Sequence, residues 1–235
     1  MTTPLRLHQL VIDNGLAISP FVWRIRYALA HKGLEVEEVP AGFTDIPKAA
    51  GGGFKTVPIL EHGDTRISES FDIADYLDRA FPDAPLFATR GERAAAQLFD
   101  SFYLWSAMRM AHGFYALDIH NAARAVDRPY YRQSREARFG GPLEEMAAGR
   151  DAGLPAFREA LQPLRMTLAR QPWLAGDAPG YADYIGLGGF LWLAGVASAP
   201  PLAAGDPLLG WIDRGRDLYG GLGRDPRQRP LAAPN

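Results

Sequence analysis

The spacing of apolar residues changes character about a third of the way along the chain. Up to residue 68 they alternate or form short blocks. Residues 5–12 (LRLHQLVI) and 34–39 (LEVEEV) read as strands, with Asp13-Asn14-Gly15 breaking the first. Val57, Ile59 and Leu60 open a hairpin that turns at His62-Gly63-Asp64 and returns through residues 65–68. Between the first two strands, Val22, Ile25 and Leu29 repeat at helical spacing behind Ser19-Pro20 and stop at Lys32-Gly33. A helix in that place predicts that the two strands run parallel. Residues 40–53, which hold Gly51-Gly52-Gly53, are expected to be a loop with little regular structure. Ile73, Leu77 and Phe81 then repeat every four residues in a helix entered at Ser70.

Residues 82–91 (PDAPLFATRG) are dense in turn formers and read as a linker. Beyond them the period is helical. Residues 92–120 carry an apolar face through Leu98, Phe102 and Trp105, and residues 154–170 repeat through Phe157, Leu161, Leu164 and Leu168 with a kink expected at Pro163. A buried helix follows Tyr181-Ala182-Asp183 and runs through Trp192; an amphipathic one covers residues 207–220, and the tail after Leu222 reads as irregular. The expected architecture is an α/β domain over residues 1–83 followed by an all-α domain over residues 91–224.

Composition narrows the function. The 235 residues are 47% hydrophobic and 22% charged, as in a globular protein, and the formal charge of -2 makes no electrostatic case for nucleic acid or an anionic membrane. The most apolar run, residues 185–196, is too short to span a bilayer, and Met1 to Leu5 show no signal-peptide pattern, so a cytoplasmic location is expected. The chain has no cysteine. That excludes disulfides, a Cys-X-X-Cys redox pair, a thiolate metal site and a cysteine nucleophile, so any thiol chemistry must use a thiol carried in by a ligand.

Three local patterns hold candidate chemistry. Proline second in a strand, as at Val57-Pro58, removes a ladder donor and suits a cis peptide entering the strand. Glu69-Ser70 at a helix start is commonly no more than a cap, yet a serine and the free N–H groups of a helix N-terminus suit a carboxylate, and a glutamate suits an ammonium. Ser19-Pro20 is likewise a common N-cap and first-turn pair.

Together these residues resemble the glutathione S-transferase family. The resemblance implies a thioredoxin-like first domain in which the Val57 backbone pairs with the cysteinyl part of glutathione, Glu69 and Ser70 take its γ-glutamyl end, and Lys55 reaches its glycine carboxylate. It places Ser19 where omega-type members carry cysteine in a similar Cys-Pro-Phe start. Over nearly the whole chain the sequence is most similar to bacterial glutathione-dependent β-etherases that cleave lignin-type aryl ethers, and to their fungal relatives. The stretches concerned are residues 18–29 (ISPFVWRIRYAL), Gly42-Phe43-Thr44, residues 128–135 (RPYYRQSR) and residues 215–223 (GRDLYGGLG). Those relatives carry a long tail after the final helix that the residues after Leu222 do not resemble, so one wall of the substrate site is expected to differ. The family's helix-capping Ser or Thr is replaced by Gly180, leaving Asp183 a structural role at that helix start.

The implied chemistry is thiolate attack without a metal. The free thiol of glutathione, with a pKa of about 8.5, would be lowered by the Ser19 hydroxyl and the helix behind it; two units need only about 2.7 kcal/mol. Asn14 is a candidate to orient the sulfur, although Asn-Gly is first a turn former. Met108, His112 and Tyr115, at helical spacing, are candidates to line the electrophile site between the domains. The resemblance, with the apolar linker around Phe87 and the helix after it, also implies a homodimer. A general detoxifying transferase acting on halides, epoxides or unsaturated carbonyls, and a non-catalytic ligand-binding protein on the same fold, are the alternatives.

Overall fold

The computed structural model describes residues 4–233. Residues 1–3, at the start of the expected first domain and of the segment read for a signal peptide, lie outside the described residues, as do 234 and 235. Four strands, β1 (Leu5–Leu10), β2 (Val36–Ala41), β3 (Ile59–His62) and β4 (Thr65–Ser68), form one sheet in the order β2-β1-β3-β4. β1 and β2 are parallel, with Leu5 opposite Val36, because α1 (Pro20–His31) separates them. β3 runs antiparallel to both β1 and β4, closing a hairpin at Gly63, whose φ of 61° suits the first place of a two-residue turn. Pro40 lies in β2, which is an edge strand, so its missing N–H costs no ladder bond on the open side.

The loop expected over residues 40–53 is more ordered than its glycines imply. It holds a 3₁₀ turn, Ile46–Gly51, with Pro47 in its first turn and a break at Ala49 and Ala50. Ile46 is buried, and it is this anchoring that tertiary packing adds to a weak local signal.

α2 (Ser70–Ala80) returns across the sheet and leads into nine residues without strand or helix before α3 (Arg90–Tyr103). The single long helix expected over residues 92–120 is broken. A π-helical segment, Leu104–Met108, follows α3, and then come α4 (Arg109–Phe114) and α5 (Ala116–Ala122). The face through Leu98, Phe102 and Trp105 points outward, at 72%, 47% and 71% exposure. The inward face is made of Ala96, Tyr103, Ala107, Met108 and Ala111, mostly small residues that let the helix approach its neighbours closely.

The chain continues through α6 (Arg128–Phe139), α7 (Leu143–Ala148), α8 (Arg150–Ala160) and α9 (Gln162–Leu168), the last two parting at Leu161 with Pro163 in the first turn of α9. α10 (Tyr181–Val196) is buried along nearly all its length and packs against α1, and α11 (Leu208–Gly221) follows. The start of α10 is held by Asp183. Its buried carboxylate accepts the backbone N–H groups of Leu174, Ala175 and Gly180 at 2.7 to 3.1 Å and the indole N–H of Trp211 at 2.9 Å. The fold is a thioredoxin-like α/β domain joined to a helical one. No helix is long and apolar enough among the described residues to cross a membrane.

Candidate active site

Ser19 ends the loop after β1 in extended conformation and caps α1, its Oγ accepting the Val22 backbone N–H at 3.3 Å. An oxygen that accepts the cap still has its proton to give, so the buried hydroxyl can donate. Gly188 in α10 helps fix its height: a Cβ there would collide with the Pro20 carbonyl, so only glycine lets α10 lie against the first turn of α1.

Ser70 is held in the same sense. It is buried, its Oγ accepts from the Arg24 guanidinium at 3.3 Å, and its carbonyl accepts the Tyr181 hydroxyl at 2.8 Å, leaving its own O–H to donate. Arg24 is itself buried and paired with Asp100 at 2.8 Å, so α1, α2 and α3 meet at this serine. Ser70 is the first residue of α2 rather than its cap; Glu69 has the cap position and makes no side-chain cap bond. The first-turn N–H groups therefore keep their anion-binding capacity. Glu69 has φ 75°, a left-handed conformation that costs a non-glycine residue on the order of 1 to 3 kcal/mol and is found where a site demands it.

A cleft of about 360 Å³ brings these groups together. Ser19, Lys55, Val57, Pro58, Glu69 and Ser70 line it, with the Val57-Pro58 peptide in the cis form just ahead of β3. A larger cavity, about 540 Å³ between the linker, α3 and α9, contains none of these residues, and the chemistry favours the smaller cleft.

The other wall comes from the helical half. His112 stacks on Trp192 with ring centroids 4.4 Å apart, and its Nδ1–H donates to the Met108 carbonyl at 2.7 Å. Burial lowers its pKa to about 4, so it is neutral near pH 7 and its Nε2 is the bare, accepting nitrogen. Tyr130, Tyr131, Arg135 and Arg138 reach the cleft from α6. Burial pushes the Tyr131 phenol up to about 12. Residue types alone gave no signal for Arg135, Arg138 or Trp192, because only the fold brings α6 and α10 to the cleft.

α6 is fixed by a brace that sequence reasoning also missed. Asp127, almost fully buried, accepts the Thr44 backbone N–H at 2.8 Å, the Thr44 hydroxyl at 2.7 Å and the Arg124 Nε–H at 2.6 Å. Burial alone would raise the Asp127 pKa, but these donors outweigh it and hold the carboxyl below its ordinary value. Arg124 also pairs with Asp45 at 2.7 Å, and a Cβ on Gly42 would strike its guanidinium. Gly42-Phe43-Thr44 is thus the seat of α6, with Phe43 against Tyr131 at 4.7 Å.

Three expected site residues lie elsewhere. Asn14 is exposed in a turn, where its Oδ1 accepts the Leu16 N–H at 3.0 Å, and it does not line the cleft; turn chemistry claims it. Met108 is buried against Tyr103 and Gly189 in an adjoining void. Tyr115 is fully buried, with its hydroxyl donating to the Ala199 carbonyl at 3.1 Å. These two share a helical face with His112, but that face turns into the core and only His112 reaches the cleft. The linker residue Phe87, expected at a dimer contact, stacks within the chain on Phe71 and meets Tyr181 edge to face. The stretch 215–223 is also distant in role: the Gly215 carbonyl accepts the Tyr27 hydroxyl at 3.0 Å, and Tyr219 bonds Tyr184, so the stretch anchors α11 to α1 and α10.

The N-terminal domain model of the glutathione S-transferases matches residues 18–80, and their C-terminal domain model matches residues 94–200. The chain belongs to the glutathione S-transferase family. This membership supports transferase-type activity with glutathione as co-substrate. The transferase is 26% identical over 196 residues to the glutathione S-transferase-like protein ustS of Aspergillus flavus, covering 70% of each chain. It is 30% identical over 175 residues to the probable glutathione S-transferase GSTU1 of Oryza sativa subsp. indica, covering 72% of this chain and 66% of that one. Among solved structures, it is similar to glutathione S-transferase CsGST63524 of Ceriporiopsis subvermispora, determined in complex with glutathione, with a TM-score of 0.72 and 21% identity over 81% of this chain and 85% of that one. That last likeness speaks for the fold.

Proposed function

We propose that this transferase uses a serine-stabilised glutathione thiolate to cleave β-aryl ethers of lignin type. Glutathione binds with Glu69 and Ser70 on its γ-glutamyl end, the Val57 backbone on its cysteinyl part and Lys55 at its glycine carboxylate. Ser19 donates to the sulfur. The thiolate forms a C–S bond at the carbon bearing the aryloxy group, the C–O bond breaks, and its electron pair leaves on the phenolate. A phenolate whose conjugate acid has a pKa of about 10 departs without obligatory protonation, which suits a site whose histidine is neutral and has no proton on Nε2.

The observation that carries this reading is the presence of the Ser19 and Ser70 hydroxyls, each with its oxygen already accepting a bond, in one cleft with the residue 128–135 segment. A second reading, general conjugation of halides, epoxides or unsaturated carbonyls, is favoured by the place of residues 215–223 away from the cleft. We further propose a cytoplasmic homodimer, with residues 1–83 as the glutathione domain and 91–224 as the electrophile domain. The test is a substrate panel with glutathione. Release of a phenol from a β-aryl ether ketone supports the etherase reading; reaction of simple halides or epoxides alone transfers the assignment to general conjugation.

A further inference from the structure

The cleft holds more positive charge than glutathione chemistry asks for. Lys55, Arg135 and Arg138 line it, against Glu69 as its one carboxylate among the described residues. Elsewhere in the helical half, part-buried guanidinia spend their donors on acidic partners, as Arg124 on Asp127, Arg132 on Glu136, Arg150 on Asp118 and Arg165 on Asp206, or on backbone carbonyls, as Arg128 on Ala123 and Asn121 and Arg158 on Pro201. Arg135 is half-buried and has none within ion-pair distance among the described residues; its one side-chain hydrogen bond goes to the neutral Ser134 hydroxyl at 3.2 Å. Its guanidinium is nevertheless held in place, lying 4.8 Å from the Tyr131 ring centroid and 5.9 Å from that of Phe43, the pair seated by the Asp127 brace. A partly desolvated, immobilised cation without a counter-charge is a binding group in waiting, because an incoming anion meets a fork that has little rotamer freedom left to lose.

We infer that Arg135, flanked by Arg138, is a subsite for a carboxylate on the electrophile, so that the preferred substrate is an aromatic acid. The aromatic part follows from the company of the subsite: Phe43, Tyr130, Tyr131 and Trp192 all line the cleft. Glutathione's own carboxylates are provided for at Ser70 with the N-terminus of α2 and at Lys55, groups of the thioredoxin-like half, whereas Arg135 rises from α6. The inference rests on glutathione binding in this cleft and holds for ether cleavage and general conjugation alike.

The test uses two glutathione conjugates that fill both halves of the cleft and need no turnover: S-(4-carboxy-2-nitrophenyl)glutathione and its carboxamide. Calorimetry at pH 7.5 should show the carboxylate bound roughly 10- to 100-fold more tightly than the amide, the range of one charge-assisted fork. Arg135→Gln should reduce that ratio to near one, and Arg135→Lys should restore part of it. Raised salt should narrow it in the wild type. Equal affinity of the two conjugates in the wild type, with glutathione itself still bound, would overturn the carboxylate subsite alone. A loss of glutathione affinity in Arg135→Gln equal to the loss for the carboxylate conjugate would assign Arg135 to the tripeptide and overturn it too. Failure of glutathione to bind the wild type would remove the underlying reading together with this one.

Discussion

The Asp127 carboxylate accepts both the backbone N–H and the hydroxyl of Thr44, at 2.8 and 2.7 Å, across 83 residues of sequence. One carboxylate thereby sets the distance between the loop after β2 and the helix that carries Arg135.

Replacing Asp127 with Asn keeps the volume and an Oδ1 for both Thr44 donors, but removes the counter-charge of Arg124 and the Oδ2 that accepts its Nε–H. A buried, charge-assisted network of this kind should cost about 2 to 3 kcal/mol when broken at one partner. Urea denaturation should show that loss. In the same variant the KM for the electrophile should rise more than the KM for glutathione, since α6 is displaced and α2 is not. Equal changes in the two would mean that the brace serves the fold alone.

Ser19→Ala removes the donor to sulfur. Activity should fall most near neutral pH, by one to two orders of magnitude, and recover in part as pH approaches the unperturbed thiol value of about 8.5. Stability should fall by about 1 kcal/mol, because the same oxygen caps α1. A pH–rate profile parallel to that of the wild type would place the thiolate contact on another group.

Glu69→Ala should raise the dissociation constant of glutathione roughly tenfold while changing kcat little, because the γ-glutamyl end lies away from the reacting sulfur and is held alike in ground and transition states. Titration by calorimetry reads this directly, and unchanged affinity would remove Glu69 from the site.

His112 supplies a pH signature. Its pKa is 6.5 in an ordinary setting and about 4 in the fold, so between those values the unfolded chain binds a proton that the folded chain does not. Stability should therefore rise with pH: the His112 contribution is complete above pH 6.5 and is lost as pH falls toward 4, on the order of 3 kcal/mol in all. His112→Phe keeps a ring against Trp192 and should flatten that limb in denaturation curves at pH 4.5, 5.5 and 7.5. An unchanged slope would assign the acid sensitivity to other groups.

Leu98, Phe102 and Trp105 form one outward stripe on α3 and the segment after it. A contiguous exposed apolar patch is most simply covered by a second copy. Wild-type protein should sediment as a dimer at micromolar concentration, and Trp105→Glu should shift it to monomer. A monomeric wild type would leave the stripe without this role.

Local chemistry made a definite part of this protein legible in its sequence. The switch from period two to helical spacing, the Ser19-Pro20 helix start, the Gly63 turn and the Val57-Pro58 step all depend on interactions within a few residues, which a linear reading can follow. Ser19, Lys55, Val57, Pro58, Glu69, Ser70 and His112 come to one cleft in the structure. Tertiary packing decided the rest. Whether Leu98, Phe102 and Trp105 or the alanines of the same helix face inward depends on how closely the neighbours must approach, which helical period cannot state. Met108 and Tyr115 occupy suitable positions on a helix but point into a core made by α10 and by residues near Ala199. Arg135 and Asp127 show no motif-level signal of their place at the cleft. Their roles come from Phe43 and Thr44, more than 80 residues earlier, and a charge is left unpaired or satisfied only by groups that the folded chain brings to it.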